Sequence, residues 1–330
     1  MKPQNSIPRI KPPALQPGDT VGIVAPASNI QRDLLDAGCE RLRHQGYKPF
    51  YLDSIFEQDL YFAGSADRRV RELEEMFVRE EVRAVLCARG GYGSNYLLGK
   101  VNIQKIAHHP KIFVGYSDNT TLLTHFLDST GLITFHGPMV TKDFAHADGV
   151  DLNSWEAALT GCSEWAVPSD SGMKPLVEGS AEGVLYGGCL SMLVASLGTP
   201  YEIRTQGTIL FLEDVAAKPF QIDRMLMQLK LAGKLESVRG IIFGEMTDCV
   251  QQKKDQGYTL EEVVLRVVGD LRIPVAFGLR SGHVSQRNVT LPIGVRAALT
   301  VNSREARLTI LEAATAPTAV SARRRTRKYD

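Results

Sequence analysis

The chain has 330 residues, 44% of them apolar and 23% charged, with a formal net charge of +1. That length exceeds one typical core and predicts two domains; the composition is that of a soluble globular enzyme, and the even charge balance argues against a nucleic-acid partner. Five cysteines, Cys39, Cys87, Cys162, Cys189 and Cys249, are odd in number, widely spaced and free of any C-x-x-C pair, so neither a disulfide framework nor a zinc site is expected and a reducing cytoplasm fits.

The N-terminal stretch MKPQNSIPRIKPPALQPGD has no apolar signal-peptide core, and no segment is long and apolar enough to span a bilayer, so neither secretion nor a membrane partner is expected. TVGIVAPAS, residues 20–28, reads as a strand, and behind it Leu34, Leu35, Ala37, Cys39 and Leu42 recur at helical spacing, which predicts a βα unit. Further strands are expected at YKPFYL, VRAVLCA, KIFVGYS and LITF, with helical patterns such as ADRRVRELEEMFVRE between most of them. That alternation predicts a parallel sheet with crossover helices. SEWAVPSDSGMKPLVEGS then loses periodicity and gathers Pro, Gly and Ser, the signature of a linker. Beyond it, AEGVLYGG, TILFLEDV, VRGIIFG, VAFG, NVTLPIG, RAALTV and ARLTIL read as strands, and Ile222, Met225, Leu226 and Leu229 lie on one face of a helix. The expected organisation is an N-terminal α/β domain over 1–165, a linker over 166–180, a strand-rich domain over 181–312 and a basic, disordered tail over 313–330 carrying Arg323, Arg324, Arg325, Arg327 and Lys328.

FVGYSDNTTLL, residues 113–123, places Ser117 where a strand should turn into a helix. Asp118, Asn119 and Thr120 are types that cap helix starts, and Asn119 stands where a G-x-S-x-G elbow has its second glycine. Locally a cap is the simpler reading of Ser117 and a nucleophile the sharper one. A nucleophile needs a base, and the base an orienting acid. Among the seven histidines, His44, His125 and His146 lie in or beside helical patterns and His108 and His109 at a helix end, where surface or capping roles suffice. His136, in ITFHGPM, ends a strand, where α/β folds bind ligands; it either touches substrate or caps its strand. His283, in LRSGHVSQRNVTLPIG, sits in a Gly/Ser/Asn loop with no core to fill. Glu213 and Asp214, in FLEDV, compete for the acid, because side chains alternate along a strand and only one can face the base. ARGGYGSNYLL, residues 88–98, puts glycines directly after a strand, so its N–H groups could approach an oxyanion; a plain tight turn explains it equally. Its spacing fits neither a dinucleotide fingerprint nor a P-loop. Gly187 and Gly188 either let a strand pack on a helix or wall a cleft.

PGDTVGIVAPAS, RGGYGS, FVGYSDNTTLL, HGPM, GGCLSML, FLEDV with IDRMLMQL, and GHVSQRNVTLPIG stand in the order, and at about the spacing, of the LD-carboxypeptidase family of serine peptidases, which includes the microcin C immunity peptidases. The chain resembles that family from residue 14 to about residue 310. The resemblance implies an α/β fold: an N-terminal parallel-sheet domain like class I glutamine amidotransferases (flavodoxin-like), a C-terminal β-rich α/β domain, and a site between them. It implies Ser117 as nucleophile, Glu213 as acid and His283 as base, with the N–H groups of Asp118 and Gly91 as the oxyanion hole and no metal or cofactor. A homodimer and a small amide substrate come with it. The substrate so implied is a murein tetrapeptide that loses its terminal D-alanine. The runner-up is an aminoacyl- or peptidyl-nucleotide amide of the microcin C type, which would need an aromatic clamp for its base; Trp155 and Trp165 lie near the linker, with core or surface packing the simpler reading of both, and a non-catalytic ligand-binding protein of the same fold is the remoter alternative. Arg89, Gly90, Tyr92, His136 and Gly188 are the candidate substrate contacts, Arg89 for the leaving residue's carboxylate, although a structural ion pair explains Arg89 equally. Cys189 departs from the family, which usually has asparagine there.

Overall fold

The computed structural model describes residues 7–250 and 257–317; the basic residues expected to form a tail, 323–328, lie outside the described residues. The alternation read in the N-terminal half becomes β1 (Thr20–Val24), α1 (Arg32–His44), β2 (Lys48–Phe50), α2 (Ala66–Val78), β3 (Val82–Cys87), α3 (Ile103–His108), β4 (Ile112–Gly115), α4 (Thr120–Thr130), β5 (Thr134–His136) and α5 (Leu152–Leu159). Strands β2, β1, β3, β4 and β5 pair in parallel in that order. Nearly every residue of β1, β3, β4 and β5 is buried, which is why these runs are continuously apolar rather than alternating. Helix α1 buries Leu35, Cys39 and Leu42 as its spacing predicts. Ala37 is exposed instead, and Gly38 takes the contact, since a Cβ there would come 2.2 Å from the Val140 carbonyl oxygen.

The rest of the chain forms β6 (Trp165–Ala166), β7 (Lys174–Val177), β8 (Gly179–Cys189), α6 (Leu190–Ala195), β9 (Thr208–Glu213), α7 (Pro219–Leu231), β10 (Gly240–Gly244), α8 (Leu260–Val268), β11 (Val275–Leu279), β12 (Leu291–Ile293), β13 (Arg296–Val301) and β14 (Ala306–Ile310). Its eight-stranded sheet runs β6-β14-β13-β8-β9-β10-β11-β7, parallel from β8 to β11 and antiparallel at both sides. On the helix predicted to face inward with Ile222, Met225, Leu226 and Leu229, all but Met225 are buried.

Three boundaries differ from the sequence reading. Residues 166–180 are not merely a linker, because β7 and the end of β6 add edge strands to the second sheet. Pro175 is tolerated in β7 because an edge strand can lack a donor on its outer side. Residues 313–317 are not a free tail: the Ala316 N–H donates to the Pro12 carbonyl (2.8 Å) and its carbonyl accepts from the Ala14 N–H (2.9 Å). NVTLPIG does form a strand, β12, but it pairs antiparallel with β5 of the first sheet, Leu291 opposite His136. The C-terminal segment therefore covers the edge on which His136 lies. Among the described residues, no helix is long and apolar enough to cross a membrane.

Candidate active site

Strand β4 ends at Gly115, and the chain turns through Tyr116 into a short 3₁₀ turn, Ser117–Asn119, before α4. Ser117 has φ +63°, a left-handed conformation that costs a non-glycine residue about 1 kcal/mol and lifts its side chain off the strand line. The short polar residues behind it do other work than capping. The Asp118 carboxylate accepts from the Ser94 N–H (2.7 Å), while Asn119 donates to the Arg89 carbonyl (3.2 Å) and accepts from the Ser94 hydroxyl (3.3 Å). They clamp the loop after β3 against the serine turn. Burial pushes the Asp118 carboxyl up, against the Ser94 hydrogen bonds that lower it. From the other side, Ser28 accepts from the Tyr92 N–H (3.0 Å), and Arg69 donates to the carbonyls of Pro26 (2.7 Å) and Gly93 (2.8 Å). A Cβ on Gly90 would lie 2.9 Å from Ser117 Oγ and 3.4 Å from the Asp118 nitrogen. Only glycine leaves room there for an oxygen beside that N–H. Gly91, at φ +107°, could carry no side chain without striking Ser28 Oγ.

Ser117 Oγ lies 3.0 Å from His283 Nε2, and His283 Nδ1 lies 2.7 Å from Glu213 Oε2, which also accepts the His283 backbone N–H (3.0 Å). A carboxylate only accepts, so Nδ1 carries the proton and the Nε2 lone pair faces the serine hydroxyl. The residue after β9 turns away from the base: Asp214 accepts from the N–H groups of Ser191 (2.8 Å), at the start of α6, and of Val215 (2.9 Å). Burial pushes the Glu213 carboxyl up, but the neighbouring His283 and His136 outweigh it and hold it well below the usual carboxylate range. Burial likewise pushes His283 down, and Glu213 outweighs it and raises the imidazole above its ordinary value.

Four residues the sequence reading passed over hold the histidine loop. Asn288 accepts from the Gly282 N–H (3.0 Å) and donates to the Gly282 carbonyl (3.1 Å) and to Asp143 Oδ1 (3.2 Å). Asp143 is fully buried, and that burial, opposed by the Met139 N–H, pushes its carboxyl up to about 6. Tyr116 presents its ring to His283 edge on, with centroids 5.1 Å apart. Gly282, at φ +95°, leaves no space for a Cβ, which would sit 2.6 Å from Glu213 Cδ. The glycine before His283 and the asparagine five residues after it were the available signals.

Several candidates stand elsewhere than expected. His136 is completely buried under β12, with Nδ1 3.0 Å from Ser281 Oγ and Nε2 3.7 Å from Glu213 Oε1. Gly188 packs on α4, since a Cβ there would come 2.7 Å from the Thr120 side chain. His125, for which a surface or capping role sufficed, is buried with its ring edge on Tyr201. Trp155 is in the core against Phe144, and Trp165 sits in β6, four strands from β9. Arg89 is exposed beside Gly91 and donates to the Asn29 carbonyl (3.2 Å). Tyr92 is exposed in a cluster with Tyr61 and Tyr96 around Phe62. Cys189 pairs with Glu213 across β8 and β9, and its N–H donates to Thr120 Oγ1 (3.1 Å). Burial pushes its thiol well up, so it is no nucleophile.

Hydrogen bonds running from a hydroxyl to an imidazole to a buried carboxylate are how serine hydrolases activate a nucleophile, and this α/β fold holds a site of that class. Residues 21–137 match the LD-carboxypeptidase N-terminal domain and residues 182–299 its C-terminal domain. The chain belongs to the LD-carboxypeptidase family. A probable murein peptide carboxypeptidase of Bacillus subtilis is 40% identical over 90% of this chain and 93% of its own. The microcin C7 self-immunity protein MccF of Escherichia coli is 31% identical over 88% of this chain and 93% of its own. A solved structure of wild-type apo MccF superposes with a TM-score of 0.86 at 26% identity, covering 93% of this chain and all of that one. A muramoyltetrapeptide carboxypeptidase from Oxalobacter formigenes gives 0.80 at 31% identity, over 91% of this chain and 100% of that one.

Proposed function

We propose that the protein is a serine carboxypeptidase that releases the terminal D-alanine of murein tetrapeptides through an acyl-enzyme on Ser117. The observation that carries this reading is the unbroken hydrogen-bond path from Ser117 through His283 to Glu213, opening beside Gly90 onto the Asp118 N–H. As Ser117 Oγ attacks the scissile carbonyl carbon, its proton passes to His283 Nε2, and Glu213 stabilises the imidazolium. The N–H groups of Asp118 and Gly91 receive the oxyanion. Collapse returns the proton from His283 to the departing amine, which leaves as D-alanine. Water then gives a proton to His283 and hydrolyses the ester. Arg89, exposed beside Gly91, would hold the leaving residue's carboxylate. With Ser117 just past the end of β4 in the first sheet and Glu213 at the end of β9 in the second, the reading takes the two halves as separate domains, the first glutamine amidotransferase-like, acting as a cytoplasmic homodimer.

His283 must be neutral to accept the serine proton. Because its folded value is raised, kcat/KM should fall as pH drops through a value above the ordinary imidazole value of about 6.5. The same shift gives stability that is full below the unfolded value and lost as pH rises through the folded one, so activity climbs while this contribution to stability fades. A pH profile on a small amide substrate checks this. An acid limb at or below the ordinary value would contradict the Glu213 pairing.

The exposed Tyr61, Tyr92 and Tyr96 favour one second reading, a peptidase for aminoacyl-nucleotide amides, in which these rings would stack on a base. MccF has been solved with aspartyl sulfamoyl adenosine. Turnover of a murein tetrapeptide beside aspartyl sulfamoyl adenosine separates the two: the first reading requires faster D-alanine release, and the opposite order would establish the second.

A further inference from the structure

Glu213 Oε2 accepts two hydrogen bonds from His283, yet Oε1 is buried with no hydrogen-bond partner. The group facing it is His136 Nε2, also buried and also without a hydrogen-bond partner, 3.7 Å away. That separation is an ion-pair distance and too long for a hydrogen bond. What decides the protonation of His136 is its other nitrogen. Ser281 Oγ lies 2.8 Å from the Val289 carbonyl oxygen, and two oxygens approach that closely only with a proton between them, so the Ser281 hydroxyl donates to Val289. Its one proton is then spent, and at 3.0 Å His136 Nδ1 must donate to Ser281 Oγ. A neutral His136 would therefore aim the bare Nε2 lone pair at a carboxylate oxygen in a site closed to water, leaving two acceptors face to face.

We infer that His136 is an imidazolium that neutralises Glu213 from the side opposite His283, making it a positioning residue for the triad. The site is then a His–Glu–His array in which one imidazole works and the other holds the charge in place. The surrounding groups agree with this. Cys189 on β8, Asp214 beside Glu213 and Cys249 on the loop beyond β10 add no cation, while Tyr116 and Asp143 on the first-sheet side add a phenol and a second carboxylate. His136 is thus the cation closest to Glu213 apart from His283 when that ring is charged. The Phe211 ring packs against it edge on, and Gly282 lets the two groups meet, since a Cβ there would stand 2.8 Å from His136 Cε1. A fixed positive charge here opposes the rise that Glu213 imposes on the His283 imidazole.

This inference rests on the triad proposed above, and its test separates the two. Labelling of Ser117 by a fluorophosphonate reads nucleophile activation without any peptide. In His136→Gln, which keeps a donor and removes the charge, the acid limb of labelling should move up by roughly half to one pH unit. Labelling with an unmoved limb would overturn the inference and leave the triad standing, whereas wild type that is never labelled at Ser117 would sink the triad. Should the variant fail to fold, ¹⁵N spectra of histidine-labelled wild type decide alone: His136 should show two protonated ring nitrogens at about pH 8, where an ordinary imidazole is neutral. A single protonated nitrogen would overturn the assignment.

Discussion

His283→Ala is expected to lower kcat/KM by on the order of 10⁶-fold while the protein stays folded. The imidazole bridges Ser117 Oγ at 3.0 Å and Glu213 Oε2 at 2.7 Å, and no other described histidine is placed to take the serine proton, His136 being sealed behind Glu213. Without a base the hydroxyl is a poor nucleophile, and the oxyanion N–H groups alone sustain only a residual rate. Because the three residues act as one unit, Ser117→Ala added to His283→Ala should cost almost nothing more. Steady-state kinetics on both single variants and the double variant, with thermal unfolding as a check on folding, read this directly. A loss of only tenfold would place the base elsewhere.

Glu213→Gln is expected to cost about 10⁴-fold, mostly in kcat. The carboxylate accepts both the His283 backbone N–H and the Nδ1 proton, and an amide that turned its NH₂ toward Nδ1 would force the proton onto Nε2, where it faces the serine wrongly. Water cannot substitute, because Gly244 and Gly282 bring backbone so close that a Cβ on either would stand 2.5 Å or 2.6 Å from Glu213 atoms. The residual activity should also titrate lower than wild type, since the charge that raises His283 is gone. A variant with unchanged kcat, or with an acid limb displaced upward, would show that Glu213 does not hold the base.

The elements were legible wherever burial on both faces made a run apolar, as in β1, β3, β4 and β9, or where one face alone was apolar, as in α7. Motif order pointed to Ser117, Glu213 and His283, which the fold brings within hydrogen-bond distance, whereas the local signal at Ser117 pointed to a cap. Asp118 and Asn119 look like helix caps, yet their side chains clamp a loop 24 and 30 residues upstream in sequence, a contact no spacing rule encodes. The burial of His136 was not legible because it depends on β12, a strand more than 150 residues away that crosses to the first sheet. Pairing between distant segments is set by the tertiary fold and leaves no periodicity behind. Linker and tail boundaries failed likewise: Pro, Gly and Ser mark turns in 166–180 without saying that short edge strands stand among them.

The most direct test of the account is D-alanine release from a murein tetrapeptide by purified protein, run beside Ser117→Ala. The account predicts release by the wild type and none above background from the variant. Release undiminished by Ser117→Ala would place the chemistry on another residue, and no release from folded protein that still labels at Ser117 would contradict the substrate while leaving the nucleophile in place.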